Sequence, residues 1–282
     1  MPGIQVITTP FAMTAWSEAA RARGERVVFV PTMGALHAGH VSLLTAARKR
    51  GEQVVLSIFV NPTQFGPSED LAHYPRDLEG DLAKASSVGA DVAFVPEARD
   101  MYLPGAQTFI DVREISQGLC GGRRAGHFTG VATVVCKFFN IVRPHVAIFG
   151  EKDFQQLAVI RRMVADLNVT VEIIGHPIVR EQDGLAMSSR NGYLSAPERA
   201  HALAIFEGLT AARDLFSAGE RRADALVDVA RTAMKDRVSR VDYVEVRDAD
   251  TLDPVEQLSA PAVILAAAFV GATRLIDNMR LG

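Results

Sequence analysis

Apolar residues along this chain follow two spacings. Short, nearly continuous apolar runs stand at Val27–Val30, Val54–Val60, Val92–Val95 and Val146–Phe149. Around and between them lie stretches, at about residues 41–50, 77–88, 129–142 and 153–166, whose apolar positions recur every three or four residues. Uniformly apolar runs of this length suit strands covered on both faces, and the periodic stretches suit helices with one buried face. Their alternation predicts an α/β fold built on a doubly wound parallel sheet. Ligands in such sheets gather at the carboxyl ends of the strands, so chemistry is expected in the segments that follow each run.

The pattern changes beyond Val169–Gly175 and the short Ile178-Val179 pair. Ser195–Ala218 and Ala223–Val238 read as two long helices, and Val241–Val246, Ala262–Val270 and Thr273–Ile276 as strands with tight connections. Tight connections predict an antiparallel sheet. A boundary near residue 178 is therefore expected, with a larger domain over 1–178 and a smaller α+β domain over 179–282 that closes over it.

Composition narrows the function classes. A chain of 282 residues, 48% hydrophobic and 22% charged, can bury a large core and reads as a soluble protein. A formal net charge of −3 gives no electrostatic reason to expect nucleic acid, and small-molecule substrates are favoured. Cys120 and Cys136 form neither a disulfide framework nor a Cys-x-x-Cys spacing, and read as buried thiols in a reducing cytoplasm. No basic segment leads into a sustained apolar core and no apolar stretch is long enough to cross a bilayer, so neither signal peptide nor membrane association is expected.

Three segments at predicted strand ends carry reactive side chains. The first strand runs into Pro31-Thr32-Met33-Gly34-Ala35-Leu36-His37-Ala38-Gly39-His40, which sets two imidazoles at i and i+3 beside a helix N-terminus. Free amides and the helix dipole there attract phosphate oxygens, and Gly39 lets a polyphosphate approach the backbone. Zinc would want a third strong ligand at a recognisable spacing and none is near, so a phosphate-facing role is the better reading. The second segment, Phe149-Gly150-Glu151-Lys152-Asp153, opens another helix. Lys152 supplies a mobile cation for a triphosphate and Asp153 a carboxylate for its magnesium, although the segment standing alone favours a plain helix opening with Asp153 as N-cap. The third, Asp183 to Asn191, joins Ser188, Ser189 and Arg190 at the domain junction. These groups suit phosphate oxygens, while loop serines by themselves more often satisfy turn amides. Gln64 follows a buried strand and Gln156 lies one turn into the helix after Lys152; such neutral amides suit a hydroxy acid without neutralising its nucleophilic carboxylate.

Neither Gly-x-x-x-x-Gly-Lys-Ser/Thr nor Gly-x-Gly-x-x-Gly after the first strand is present, which removes the main support for Walker-type ATPase and Rossmann dehydrogenase readings. Gly118–Gly126 reads as a mobile basic loop in which Arg123 and Arg124, with His127 just beyond, either help neutralise phosphate or face solvent.

These blocks, with Phe59-Val-Asn-Pro-Thr-Gln-Phe65 and His127-Phe-Thr-Gly-Val131, stand in an order that resembles the pantothenate synthetase family nearly end to end. His-x-Gly-His alone would mark only the wider nucleotidyltransferase superfamily. Thr63 and Phe154 depart from the Met and Tyr expected there. The resemblance implies a Rossmann-like N-terminal domain, a C-terminal lid, a homodimer, and ATP-dependent joining of pantoate to β-alanine through a pantoyl adenylate, with Mg2+, in pantothenate and coenzyme A synthesis. It implies ATP binding by residues 33–40 (Met33, Gly34, Ala35, Leu36, His37, Ala38, Gly39 and His40), by Gly150, Glu151, Lys152 and Asp153, by Val179 through its backbone, and by Met187, Ser188, Ser189 and Arg190. Gln64 and Gln156 would hold pantoate, Gln64 would also touch β-alanine, Asp153 would serve the metal, and His40, His37, Lys152 and Arg190 would act in catalysis. Two rival readings are another adenylyl-transfer enzyme of the same superfamily and a nucleotide-binding protein without turnover.

Overall fold

The chain opens with elements that the hydrophobic pattern does not predict. Strand β1 (Gln5–Ile7) has only three residues, and helix α1 (Pro10–Ala22) starts at Thr9, whose side chain accepts from the Ala12 amide, with Pro10 in the first turn. The computed structural model describes residues 3–67 and 69–282. After α1 the alternation runs as read: β2 (Val27–Thr32), α2 (Ala38–Arg48), β3 (Gln53–Ile58), α3 (Leu78–Ser87) and β4 (Val92–Phe94). Two short helices, α4 (Ala98–Met101) and α5 (Leu119–Arg123), precede α6 (His127–Val142), β5 (Val146–Gly150), α7 (Phe154–Asp166) and β6 (Glu172–His176).

All six strands pair in parallel in the order β1-β4-β3-β2-β5-β6. From β2 the chain steps outward through β3 and β4 on one side, and from β5 to β6 on the other. The connections after β2 and β5 therefore diverge and leave a crevice at their carboxyl ends. Alternate strand residues feed two cores. Val28, Val30, Leu56 and Ile148 pack against α2 and α3, whereas Phe29, Val55, Ala147 and Phe149 pack against α1, α6 and α7.

The remaining chain forms α8 (Ala196–Ser217), α9 (Ala223–Met234) and an antiparallel sheet of β7 (Arg240–Asp248), β8 (Ala262–Val270) and β9 (Thr273–Leu281), with β8 central. Ile264, Ala266 and Ala268 face α8 and α9, while Val263, Leu265 and Ala267 join the core of the first sheet. Burial on both faces explains why β8 is apolar throughout. Strand β9 runs five residues past the predicted Ile276, because Asp277 and Asn278 break the apolar pattern and are nonetheless buried.

Gly118–Gly126 is not the predicted mobile loop. Gln155, 4% exposed, accepts from the Cys120 amide at 3.0 Å and donates to the Ile115 carbonyl at 3.1 Å, which pins the segment to α7. Arg124 forms a two-pronged ion pair with Glu69 at 2.6 and 2.8 Å. Both cysteines are free, Cys120 buried and Cys136 only half-buried. Among the described residues no helix is long and apolar enough to cross a membrane.

Candidate active site

The crevice beyond β2 and β5 opens into a cavity to which all three predicted segments and both glutamines contribute. On the β2 side, His37 and His40 cap α2 reciprocally. His37 Nδ1 accepts from the Gly39 amide at 3.1 Å, and His40 Nδ1 accepts from the His37 amide at 3.3 Å. An acceptor nitrogen carries no proton, so this hydrogen bonding assigns the neutral Nε2–H tautomer to both rings. Burial, reinforced by Lys152, lowers the His37 pKa to about 4, and burial with the neighbouring His37 lowers that of His40 to about 3. Two uncharged N–H donors, their ring centroids 4.1 Å apart, therefore stand at a helix N-terminus. The close approach needs Gly39, since a Cβ there would lie 2.8 Å from His37 Cε1.

The turn before these histidines is buttressed from α3. Asp81 accepts from the amides of Ala35 and Leu36 at 2.8 and 2.6 Å. Of the segment expected to bind the nucleotide, Gly34, Ala35, Leu36 and Ala38 are not among the residues that line the cavity, and Leu36, 3% exposed, packs in the core behind it. Met33, His37, Gly39 and His40 do line it.

On the β5 side, Gly150, Lys152 and Asp153 reach the cavity, but Glu151 points away from it toward Arg280. The Asp153 side chain makes no capping bond at α7; it pairs with Lys152 Nζ at 3.1 Å and stays partly exposed. Burial pushes the Asp153 carboxyl up, yet Lys152, with help from Arg190, overcomes this and holds its pKa below the ordinary value. Asn278 of β9 donates to the carbonyls of Glu151 and Lys152 at 2.9 and 3.0 Å, fixing the turn that carries Lys152. Its neighbour Asp277 holds Arg180 at 2.6 and 2.9 Å, and Arg180 in turn donates to the Gly184 carbonyl. The middle of β9 thus positions both the α7 opening and the segment leading to Ser188.

Met187, Ser188, Ser189, Arg190 and Val179 close the far wall. Ser188 Oγ accepts from the Arg190 amide at 3.3 Å, and Ser189 Oγ donates to the Ala35 carbonyl at 3.2 Å, so both hydroxyls shape the loop. Arg190 pairs with Asp70 through Nε and Nη2 at 3.0 and 2.8 Å. The Val179 carbonyl accepts from the Met187 amide at 3.0 Å.

The third side is apolar with amide groups set into it. Val131, Val134, Val135 and Phe138 of α6 and Phe59 form a hydrophobic wall beside Gln64 and Gln156. Gln64 sits in a 3-10 turn (Pro62–Gln64) pressed against α6, and Gly130 permits that contact because a Cβ would lie 2.3 Å from the Thr63 carbonyl. The Gln64 carbonyl accepts from His127 Nδ1 at 2.8 Å, while His127 Nε2 receives Arg124 Nη1 at 3.0 Å. His127 is 8% exposed, and burial with the Arg124 charge lowers its pKa to about 4. It is therefore a neutral brace under the Gln64 turn and does not line the cavity, nor do Arg123 and Arg124. Sequence reasoning also missed Asn61, Tyr74 and His176 as cavity residues, although Asn61 stands within the quoted Phe59–Phe65 block.

Comparison with known proteins fits this geometry. Residues 5–280 match the family described as pantoate-beta-alanine ligase. The chain is 54% identical over 280 residues to a pantothenate synthetase of Geobacter sulfurreducens, covering 99% of each. It is 52% identical to one of Myxococcus xanthus, covering 98% of this chain and 96% of that one. The crystal structure of the Thermus thermophilus pantothenate synthetase superposes with a TM-score of 0.92 at 41% identity, covering 98% of this chain and 99% of that one. A pantoate-beta-alanine ligase from Francisella tularensis, whose structure is described as complexed with beta-gamma ATP and beta-alanine, gives 0.82 at 32% identity, covering 98% and 97%. A hydroxyl- and cation-lined wall facing an apolar pocket with two amides, on this fold and with these relatives, leads to one conclusion: the chain belongs to the pantoate–β-alanine ligase family.

Proposed function

We propose that the ligation of pantoate to β-alanine, the activity of this chain's family, runs in this cavity as two half-reactions. In the first, a pantoate carboxylate oxygen attacks the α-phosphorus of ATP; the bond from that phosphorus to the bridging oxygen breaks, giving pantoyl adenylate and pyrophosphate. In the second, the β-alanine amine attacks the acyl carbon, the bond to the AMP oxygen breaks, and the amine loses a proton as pantothenate and AMP form. AMP is a far better leaving group than hydroxide, which is why the carboxylate is activated this way.

The carrying observation is the pair of neutral, mutually capped histidines opposite Lys152, in one cavity with Gln64 and Gln156. Donors held rigidly where charge develops stabilise a departing pyrophosphate without reorganising. We assign His40 and His37 to hydrogen bonds with the triphosphate, Lys152 to its charge, and Arg190 to its outer oxygens through the nitrogen that Asp70 leaves free. Met187, Ser188, Ser189, Gly150 and the backbone of Val179 enclose the nucleoside. Gln64 and Gln156 take the oxygens of pantoate, and the α6 wall takes its geminal methyl groups. Asp153, whose side chain caps no helix and faces the cavity, would hold a magnesium ion. Bound there, the ion would screen the triphosphate charge. Among the described residues no group of three His, Cys, Asp or Glu side chains could hold a metal by itself.

We assign residues 1–178 to ATP and pantoate binding, and residues 179–282 to a lid that brings Met187–Arg190 over the nucleotide and excludes water from the adenylate. The free thiols suit a cytoplasmic enzyme. Leu103 and Phe109, 69% and 55% exposed in one short stretch, suit contact with a second copy in a homodimer, which the mass in solution from light scattering would test. Purified protein given ATP, pantoate and β-alanine should form pantothenate and AMP, identified by mass, only when all three are present. Pantothenate formed without ATP, or ATP consumed with no pantoate requirement, would overturn the reading.

A further inference from the structure

Gln64 is held by a chain of hydrogen bonds that begins outside the cavity. Tyr102 follows α4, on the connection that leaves β4, the strand beside β3. Its hydroxyl donates to Asn61 Oδ1 at 2.8 Å and lies 3.1 Å from Thr63 Oγ1. Thr63 donates to the same Asn61 oxygen through its hydroxyl at 3.0 Å and its amide at 3.4 Å. Three donors converging on one atom identify it as the amide oxygen, so the other end of Asn61 is nitrogen. Asn61 Nδ2 then donates to the Gly130 carbonyl at 3.2 Å and to Gln64 Oε1 at 3.1 Å. Gln64 is oriented in turn: its oxygen is engaged by Asn61, and its Nε2 lies 3.1 Å from Met33 Sδ on the cavity wall.

We propose that Tyr102 and Thr63 are positioning residues that set the polarity of Gln64, making it a hydrogen-bond donor toward the cavity. Gln64 then takes an oxygen of the acid substrate or of the β-alanine carboxylate, and does not accept from the β-alanine nitrogen. Neither Tyr102 nor Thr63 lines the cavity, so they act only through Asn61. Burial raises the Tyr102 pKa above the ordinary phenol value, which favours the protonated, donating form. Asn61, buried to 1% exposure, cannot flip without facing its oxygen toward the Gly130 carbonyl.

This inference rests on placing pantoate at Gln64, and the test separates the two. Tyr102→Phe leaves the Thr63 donors in place and should raise the pantoate KM about twofold, whereas Tyr102→Phe with Thr63→Val should raise it roughly tenfold, with the ATP KM and the melting temperature little changed. Gln64→Glu should abolish saturation by pantoate, because Asn61 would hold one carboxylate oxygen and turn the other against the substrate anion. A double variant with an unchanged pantoate KM, alongside Gln64→Ala that raises it, would overturn the relay and leave the pantoate site standing. An unchanged pantoate KM in Gln64→Ala would overturn both. Tighter β-alanine binding by Gln64→Glu would show that this side chain accepts from the amine, and would overturn the proposed polarity.

Discussion

The two helix openings that face the cavity are built in opposite ways. At α2 the cap itself lies within four residues, His37 and His40 each accepting a backbone N–H of the same turn, and the remote Asp81 buttresses only the turn before it. At α7 the Asp153 side chain caps nothing, and the turn is held by Asn278 from the far end of the chain. The cap of the first helix is supplied by the helix's own opening turn. The second is complete only when β9 is in register, so the Lys152 position reports on the packing of the second sheet against the first.

The largest effects should come from the reacting groups themselves. His40→Ala and Lys152→Ala should each slow adenylate formation by about 10²- to 10⁴-fold in single-turnover assays, with circular dichroism unchanged, as for other removed donors to developing charge. Near-wild-type rates would remove those roles. Next comes Asn278→Ala, which orphans two carbonyls and frees the Lys152 turn. It should lower stability by about 1–3 kcal/mol and the adenylation rate by roughly tenfold, whereas loss of stability with the rate intact would mean that Lys152 needs no help from β9.

Gly39→Ala probes the local opening in the same way. Its Cβ would push on the His37 ring, so the ATP KM should rise severalfold while the melting temperature moves less than in Asn278→Ala. Equal melting shifts in the two variants would erase the contrast between local and remote construction. Gln156→Ala should raise the pantoate KM and leave the ATP KM alone; the reverse pattern would put pantoate elsewhere.

The smallest effect on the reaction itself belongs to His127, which acts through a pH dependence of stability. The folded pKa of His127 lies near 4, below the ordinary value of 6.5, so the unfolded chain binds the proton more readily. Its contribution is whole above pH 6.5 and is lost as pH falls toward 4, at roughly 1.4 kcal/mol per pH unit. Protonation of Nε2 sets it against Arg124, and His127→Asn should flatten the slope of denaturation midpoint against pH between 6.5 and 4.

The same contrast explains what could be read from the sequence. The inner strands β2, β3, β4 and β5 are visible as apolar runs because both faces are covered, whereas the short, half-exposed β1 is not, and His37, His40, Lys152 and Asp153 are visible because they follow β2 and β5 within a few residues. Asp81, Asn278 and Asp277 were not, since a buried polar residue that serves a turn 45 or 126 residues away has no characteristic spacing. Helix α1 had a readable signal in Thr9-Pro10, an N-cap followed by proline, which apolar periodicity alone passes over. Gly118–Gly126 misled because glycine and arginine suggest a solvated loop, while Gln155 and Glu69, distant in sequence, tie it down.

The central claim is that this cavity activates pantoate before β-alanine takes part, and rapid-quench measurement of pyrophosphate tests it most directly. Enzyme mixed with ATP and pantoate but no β-alanine should release pyrophosphate in a burst approaching one equivalent per active site, with pantoyl adenylate retained on the protein. Pyrophosphate released only after β-alanine is added would contradict it, and would mean that amine and carboxylate react in a single concerted step.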